Sequence, residues 1–312
     1  MRRKLTGINT PVFCCDEIGM AATLTAGSIR PQGERSSFAF SFSLLPRDER
    51  DAMHKIYDFC RYTDDLVDED LVIPEYEAEI RKSAGAEKKR LRLEWWRREV
   101  ARCYEGTSSH PVLKNLYKVL IRFKIPQQYL ITLIDGVEMD LVRTRYETFE
   151  ELKEYCYGVA SVIGLICIEV FGYKHEETRD YAVNLGYALQ LTNILRDVKT
   201  DAEKGRVYLP QEDLRRFDYS EEDLLAGRYN VQFIALMKFE TARARDYYQS
   251  ARAQLRKDER FTMFAAEIMD AIYFRLLRKI ELSEFAVFER RIKVSTPHKL
   301  LIVAKFWLNR FF

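Results

Sequence analysis

Residues 190–210 read QLTNILRDVKTDAEKGRVYLP, and the helix they belong to decides the fold. Between positions 183 and 198 nearly every helical direction carries an apolar residue, among them Leu185, Tyr187, Leu189, Leu191, Ile194 and Leu195. A helix that is apolar all round is a buried helix. One stripe breaks the pattern: Gln190, Asn193, Asp197 and Asp201 follow offsets of three and four and so share a face. Carboxylates on a buried face are costly unless a basic side chain or a divalent cation pairs with them. Carboxylate and amide oxygens on one rigid face suit Mg²⁺, which prefers oxygen ligands and shares its shell with substrate phosphates.

A second stripe lies upstream, in IYDFCRYTDDLVDED, where Tyr57, Arg61, Asp64 and Asp68 again repeat at offsets of four, three and four. Ile56, Phe59, Cys60, Thr63 and Val67 supply an adjoining apolar face. Either acidic pair alone would read as a solvated turn. Two pairs, each with a matched polar stripe and one inside a buried helix, favour a shared cation site.

YxxCRxxDDxxDE followed by ALQLTNILRDVxxDxxxGRxYLP resembles the squalene/phytoene synthase family. The matching residues are Tyr57, Cys60, Arg61, Asp64, Asp65, Asp68 and Glu69, then the run from 188 to 198 with Asp201, Gly205, Arg206, Tyr208, Leu209 and Pro210. The likeness extends from about residue 36 to about residue 300. Thr200 departs from the pattern, since many members carry an acidic residue there; the stripe itself is intact.

The resemblance implies a class I isoprenoid synthase fold, an all-α catalytic domain around a central cavity. The sequence agrees, with long helical patterns and no NG or DG hairpin between alternating runs. The expected divisions are an irregular segment at 1–35, the helical domain at 36–298 and an amphipathic tail at 299–312. Net charge of +2 argues against a dedicated nucleic-acid surface. Six cysteines with no CxxC fit neither zinc nor a disulfide framework and suit a reducing compartment. No signal peptide or membrane-length apolar run is expected. A cytoplasmic protein, or one peripheral on the inner face of the membrane, follows.

The implied reaction is Mg²⁺-dependent head-to-head condensation of two prenyl diphosphates through a cyclopropyl-carbinyl diphosphate, with Mn²⁺ as an alternative ion. Asp64, Asp68, Asn193, Asp197 and Asp201 are the expected metal ligands, with Arg61, Arg196 and Arg206 as further counter-charges to the leaving diphosphate. The resemblance puts Arg35, Ser37, Gln190 and Arg291 near the diphosphates, and Asp140 near the reacting ends. It gives Tyr57 or Tyr273 a part in proton loss, and makes Phe38, Phe42, Tyr155, Val159, Ala160 and Ile163 walls of an apolar tunnel. A carbocation needs such a dry, aromatic-lined space. The small residues of YCYGVASVIG are equally explained by close helix packing.

Two C20 substrates would give phytoene. Two C15 substrates would give presqualene diphosphate, dehydrosqualene or squalene, and only squalene would require NADPH. The expectation is phytoene. A head-to-tail prenyltransferase or terpene cyclase would lack the long second motif, and a non-catalytic relative should have lost motif carboxylates that are present here. The tail KLLIVAKFWLNRFF is amphipathic, cationic and aromatic, which suits either a membrane surface or docking on the core.

Overall fold

The computed structural model describes residues 41–69, 71, 73, 83 and 85–311. Arg35, Ser37 and Phe38 lie outside the described residues. Among those described, the elements are helices: α1 Arg47–Asp68, α2 Gly85–Tyr104, α3 Pro111–Arg122, α4 Gln127–Val142, α5 Phe149–Cys156, α6 Val162–Phe171 and α7 Glu177–Glu203. The short α8 Gln211–Arg216 and α9 Glu221–Leu225 lead into α10 Val231–Gln254, α11 Phe264–Leu282 and α12 Thr296–Phe311. The only β pairing among them is one isolated bridge between Arg145 and Val207.

Sequence signals set several helix ends. Pro46 and Pro126 occupy the N-caps of α1 and α4, and Pro111 opens α3. Proline suits such a start because the first helical N–H groups have no partner within the helix. Asn230 caps α10 by accepting a 2.9 Å hydrogen bond from Phe233 N. The α2 helix begins at Gly85, so the basic stretch before Leu91 is helical.

The α7 helix is the centre of the molecule. It packs against α10, α6, α11 and the turn Tyr157–Ser161, which explains its apolar residues on every side. The α1 helix packs on α2, α3, α4 and α6, so α6 touches both acidic helices. Between α5 and α6 the chain widens into a π-helical turn, Tyr157–Ser161. Small residues permit the closest crossings there. A Cβ at Gly164 would stand 2.7 Å from Ala182 O, and one at Gly186 would collide with Ser161 Cα. These contacts bind the antiparallel helices α6 and α7 nearly backbone to backbone.

The continuous run Phe149–Phe171 is long and apolar enough to cross a membrane, but 72% of its most apolar window is buried inside the fold. It is a core helix. Trp96, fully buried, stacks on Phe59 with centroids 5.6 Å apart and donates through Nε1 to Thr63 Oγ1 at 2.9 Å. Trp95 and Trp96 are thus packing residues that fix α2 against α1.

Candidate active site

The first acidic pair stands at the C-terminal end of α1. That end is held from α2: the buried Arg92 guanidinium donates to Leu66 O at 3.3 Å and to Glu69 O at 2.7 Å. A cation at a helix C-terminus satisfies carbonyls that have no helical partner and complements the negative end of the macrodipole. Asp64 is buried and Asp68 half-buried on this last stretch. Burial pushes the Asp68 carboxyl above its ordinary range, against the pull of Arg206, Lys89 and Lys204. Its Oδ2 is buried and accepts no hydrogen bond. Asp65 is pushed up to about 6, first by burial, then with Glu69 and Asp68 adding to it while Arg61 opposes. Arg61 Nε lies 3.7 Å from Asp65 Oδ2.

The second pair lies inside α7. Gln190, Asn193, Arg196 and Asp197 are all buried, and Asp201 is half-buried one turn on. Asp197 is clasped by guanidinia. Arg196 Nε donates to Oδ1 at 2.9 Å and Arg196 Nη2 to Oδ2, while Arg291 Nε stands 3.3 Å from Oδ1. The expected diphosphate-binding residues Arg196 and Arg291 therefore meet on this carboxylate. Among the described residues no three acidic, histidine or cysteine side chains converge closely enough to hold a metal by themselves. The oxygen set still fits a hard cation. Asp68 Oδ2 and Gln190 Oε1 are buried acceptors with no hydrogen-bond donor, the situation a divalent ion resolves.

A third group joins the two. The loop after α7 turns at Gly205 with φ +76°, the left-handed conformation that glycine adopts without penalty beyond a helix end. Val207 N donates to Thr144 O at 2.9 Å and Gln211 N to Tyr146 O at 2.9 Å, tying this loop to the segment after α4. Arg145 reaches Gly205 O at 2.5 Å from the same side. Arg206 is thereby held beside Asp68 and Asp140, whose charges favour its protonated form. Asp140, at the end of α4, accepts from Tyr208 OH at 2.8 Å and Tyr155 OH at 3.1 Å. Burial raises its carboxyl to about 6, and Arg206 and the two hydroxyls oppose that rise. The rings of Tyr146, Tyr155 and Tyr208 stack, with centroids 5.3 Å apart for Tyr155–Tyr208 and 5.9 Å for Tyr146–Tyr208. Tyr208 was not expected as a site residue, although it stands in the GRVYLP stretch; the signal was its place two residues after Arg206.

The apolar cavity lies between α6, α7 and α11. Phe42, Ala160 and Ile163 line it, joined by Cys167, Leu189 and Met269. Tyr155 and Val159 do not. Tyr155 turns to Asp140, and Val159 sits where α5 and α6 meet Gly136 of α4. Both face α4 instead, Tyr155 through its hydrogen bond to Asp140 and Val159 through its contact at Gly136. Tyr273 is buried on α11 and Tyr57 half-buried on α1, and neither lines this cavity.

Known proteins bear on this geometry. The family described as squalene/phytoene synthase matches residues 32–298. The 15-cis-phytoene synthase of Synechocystis sp. is 37% identical over 288 residues, covering 88% of this chain and 81% of that protein. The phytoene synthase of Arthrospira platensis is 34% identical, covering 94% and 93%. A solved dehydrosqualene synthase in complex with ligand superposes with a TM-score of 0.74 at 27% identity, covering 89% of this chain and 93% of the other. A match through nearly all of the helical domain, carrying both acidic helices and the loop between α7 and α8, makes this chain a member of the squalene/phytoene synthase family.

Proposed function

We propose that this prenyltransferase joins two geranylgeranyl diphosphates head to head to give phytoene. The observation that carries the reading is the placement of the cavity. It runs along α7 away from the polar stripe, so a diphosphate held among Asp68, Arg206 and Asp197 would thread its prenyl chain past Leu189 and Ala160. The likeness to phytoene synthases over most of the chain supports the C20 substrate.

Asp64, Asp68, Asn193, Asp197 and Asp201 are the residues that would hold Mg²⁺ or Mn²⁺, which when bound neutralises the departing diphosphate. Arg61 and Arg206 add fixed positive charge on the same side. In the first half-reaction, C1 of one substrate loses diphosphate and is attacked by the C2–C3 double bond of the other. A proton then leaves and a cyclopropane closes. In the second, the remaining diphosphate departs, the ring rearranges and a further proton leaves. The Asp140–Tyr155–Tyr208 group lies next to Arg206, where it orients that guanidinium toward the leaving group.

The C30 alternative draws support from the dehydrosqualene synthase likeness and from Phe42 on the cavity wall, where a bulky ring shortens the space. Purified protein with Mg²⁺ and farnesyl or geranylgeranyl diphosphate, with and without NADPH, separates the two by mass spectrometry. A C40 hydrocarbon from the longer substrate, indifferent to NADPH, is expected. A C30 product would replace that reading.

The tail supports membrane contact as well as docking. Ile302, Val303 and Phe306 of α12 pack on the core, while Leu300 and Leu301 are 54% and 65% exposed. A peripheral position on a membrane surface, taking up a water-insoluble product, is the reading proposed for this face. Flotation with anionic vesicles tests it, and loss of flotation in L300E/L301E is expected.

A further inference from the structure

Tyr181 lines the apolar cavity on α7 and takes no part in the polar site. Leu189, Leu185, Ala182 and Tyr181 line the cavity along α7, in that order away from Asn193. Along the antiparallel run through the π-helical turn and α6 the order is Ala160, Ile163, Cys167 and Phe171. Gly164 meets Ala182 where the two helices cross, and of the residues that line the cavity Tyr181 on α7 and Phe171 on α6 are each the one most remote along its helix from the acidic stripe. At about 1.5 Å per residue, Tyr181 is about 18 Å down the helix from Asn193.

Tyr181 is 1% exposed, and its hydroxyl makes no hydrogen bond. An unpartnered buried hydroxyl lowers stability, so packing stability does not account for it. Behind it α10 and α11 are locked by the Arg252–Asp270 pair, with Nε to Oδ2 at 2.8 Å and Nη2 to Oδ1 at 2.6 Å. Arg252 lies over the Phe274 ring at 4.3 Å, which leaves that wall little room to yield.

We infer that the Tyr181 ring is the end stop of the prenyl tunnel and sets the longest chain this enzyme accepts. The inference rests on the prenyl diphosphate reading of the site. An isoprenoid terminus that reaches Tyr181 meets a rigid ring with a polar edge, and a longer chain has nowhere to go. Replacing the ring by a methyl group extends the cavity toward the Arg252–Asp270 pair.

The test is binding, read as thermal stabilisation by prenyl S-thiolodiphosphates of C15, C20 and C25 with Mg²⁺. In the unaltered protein the C20 analogue should stabilise more than the C25. In Y181A the order should reverse, with at least tenfold tighter apparent Kd for C25. Y181F keeps the ring, so it should keep the original order while melting at a higher temperature. An unchanged order in Y181A, or a reversal already in Y181F, would overturn the stop. Y181L, closer in volume, is read in the same way should Y181A fail to fold. Because this readout needs no turnover, absence of a C40 product from the unaltered enzyme would sink the proposed reaction and leave the stop to be judged on its own.

Discussion

The two acidic helices carry the same DxxxD spacing and meet opposite fates. At the end of α1, Asp68 is half-buried, has an oxygen with no hydrogen bond, and faces its cations across the loop from α7. Within α7, Asp197 is clasped by Arg196 and approached by Arg291. One carboxylate is held ready for a positive partner, and the other already has two. Identical spacing therefore says where the carboxylates point, and the surrounding helices say which cations each one meets.

Substitution of both carboxylates sharpens this contrast most. Asp197→Ala should reduce product formation by about 10²–10³-fold. It should also lower stability by about 3–5 kcal/mol, because it leaves the Arg196 guanidinium buried without its carboxylate. Asp68→Asn should cost similar activity and yet raise Tm at pH 7. The sign follows from its raised carboxyl: the fold favours the protonated form, so this group's stability is present below the ordinary carboxylate range and lost as pH rises through the folded value. Equal Tm changes in the two variants, measured by calorimetry, would erase the distinction.

The Arg92 contact to the end of α1 offers the next effect. Arg92→Met removes donors to Leu66 O and Glu69 O and should cost about 1–3 kcal/mol in urea unfolding. Turnover should fall with it, through Asp64 and Asp68.

A buried acid remote from both stripes separates general burial from site chemistry. Glu240, raised to about 8 by burial although Arg243 opposes it, destabilises the fold progressively as pH rises from about 4.5 toward about 8. Glu240→Gln should flatten that part of the pH–stability curve; a curve of unchanged slope would assign the effect elsewhere. The smallest change is Arg291→Ala. Its side chain is 36% exposed, so stability should change by no more than about 1 kcal/mol, while KM for the prenyl diphosphate rises.

Much of this was legible in the chain. The polar stripe Gln190, Asn193, Asp197 within an apolar helix announced a buried site, and Pro46, Pro111 and Pro126 announced where helices begin. The side on which Tyr155 falls was not legible. Its hydroxyl turns to Asp140 on α4 and its ring stacks on Tyr208 beyond α7, partners that no local spacing points to. Nor was the start of α2, where charged residues before Leu91 resemble a solvated loop as well as a helix face.

By itself the sequence determined an all-helical chain with two carboxylate stripes beside apolar faces, because residues three and four apart on a helix must share a side whatever surrounds them. The tertiary structure alone decided that Arg291 reaches Asp197, that Tyr208 bonds Asp140 across 68 positions, and that Tyr181 lines the cavity. Those pairings depend on how closely α6 can lie on α7 and where the loop after Gly205 is tied. Both are set by packing between distant segments, which no local spacing encodes.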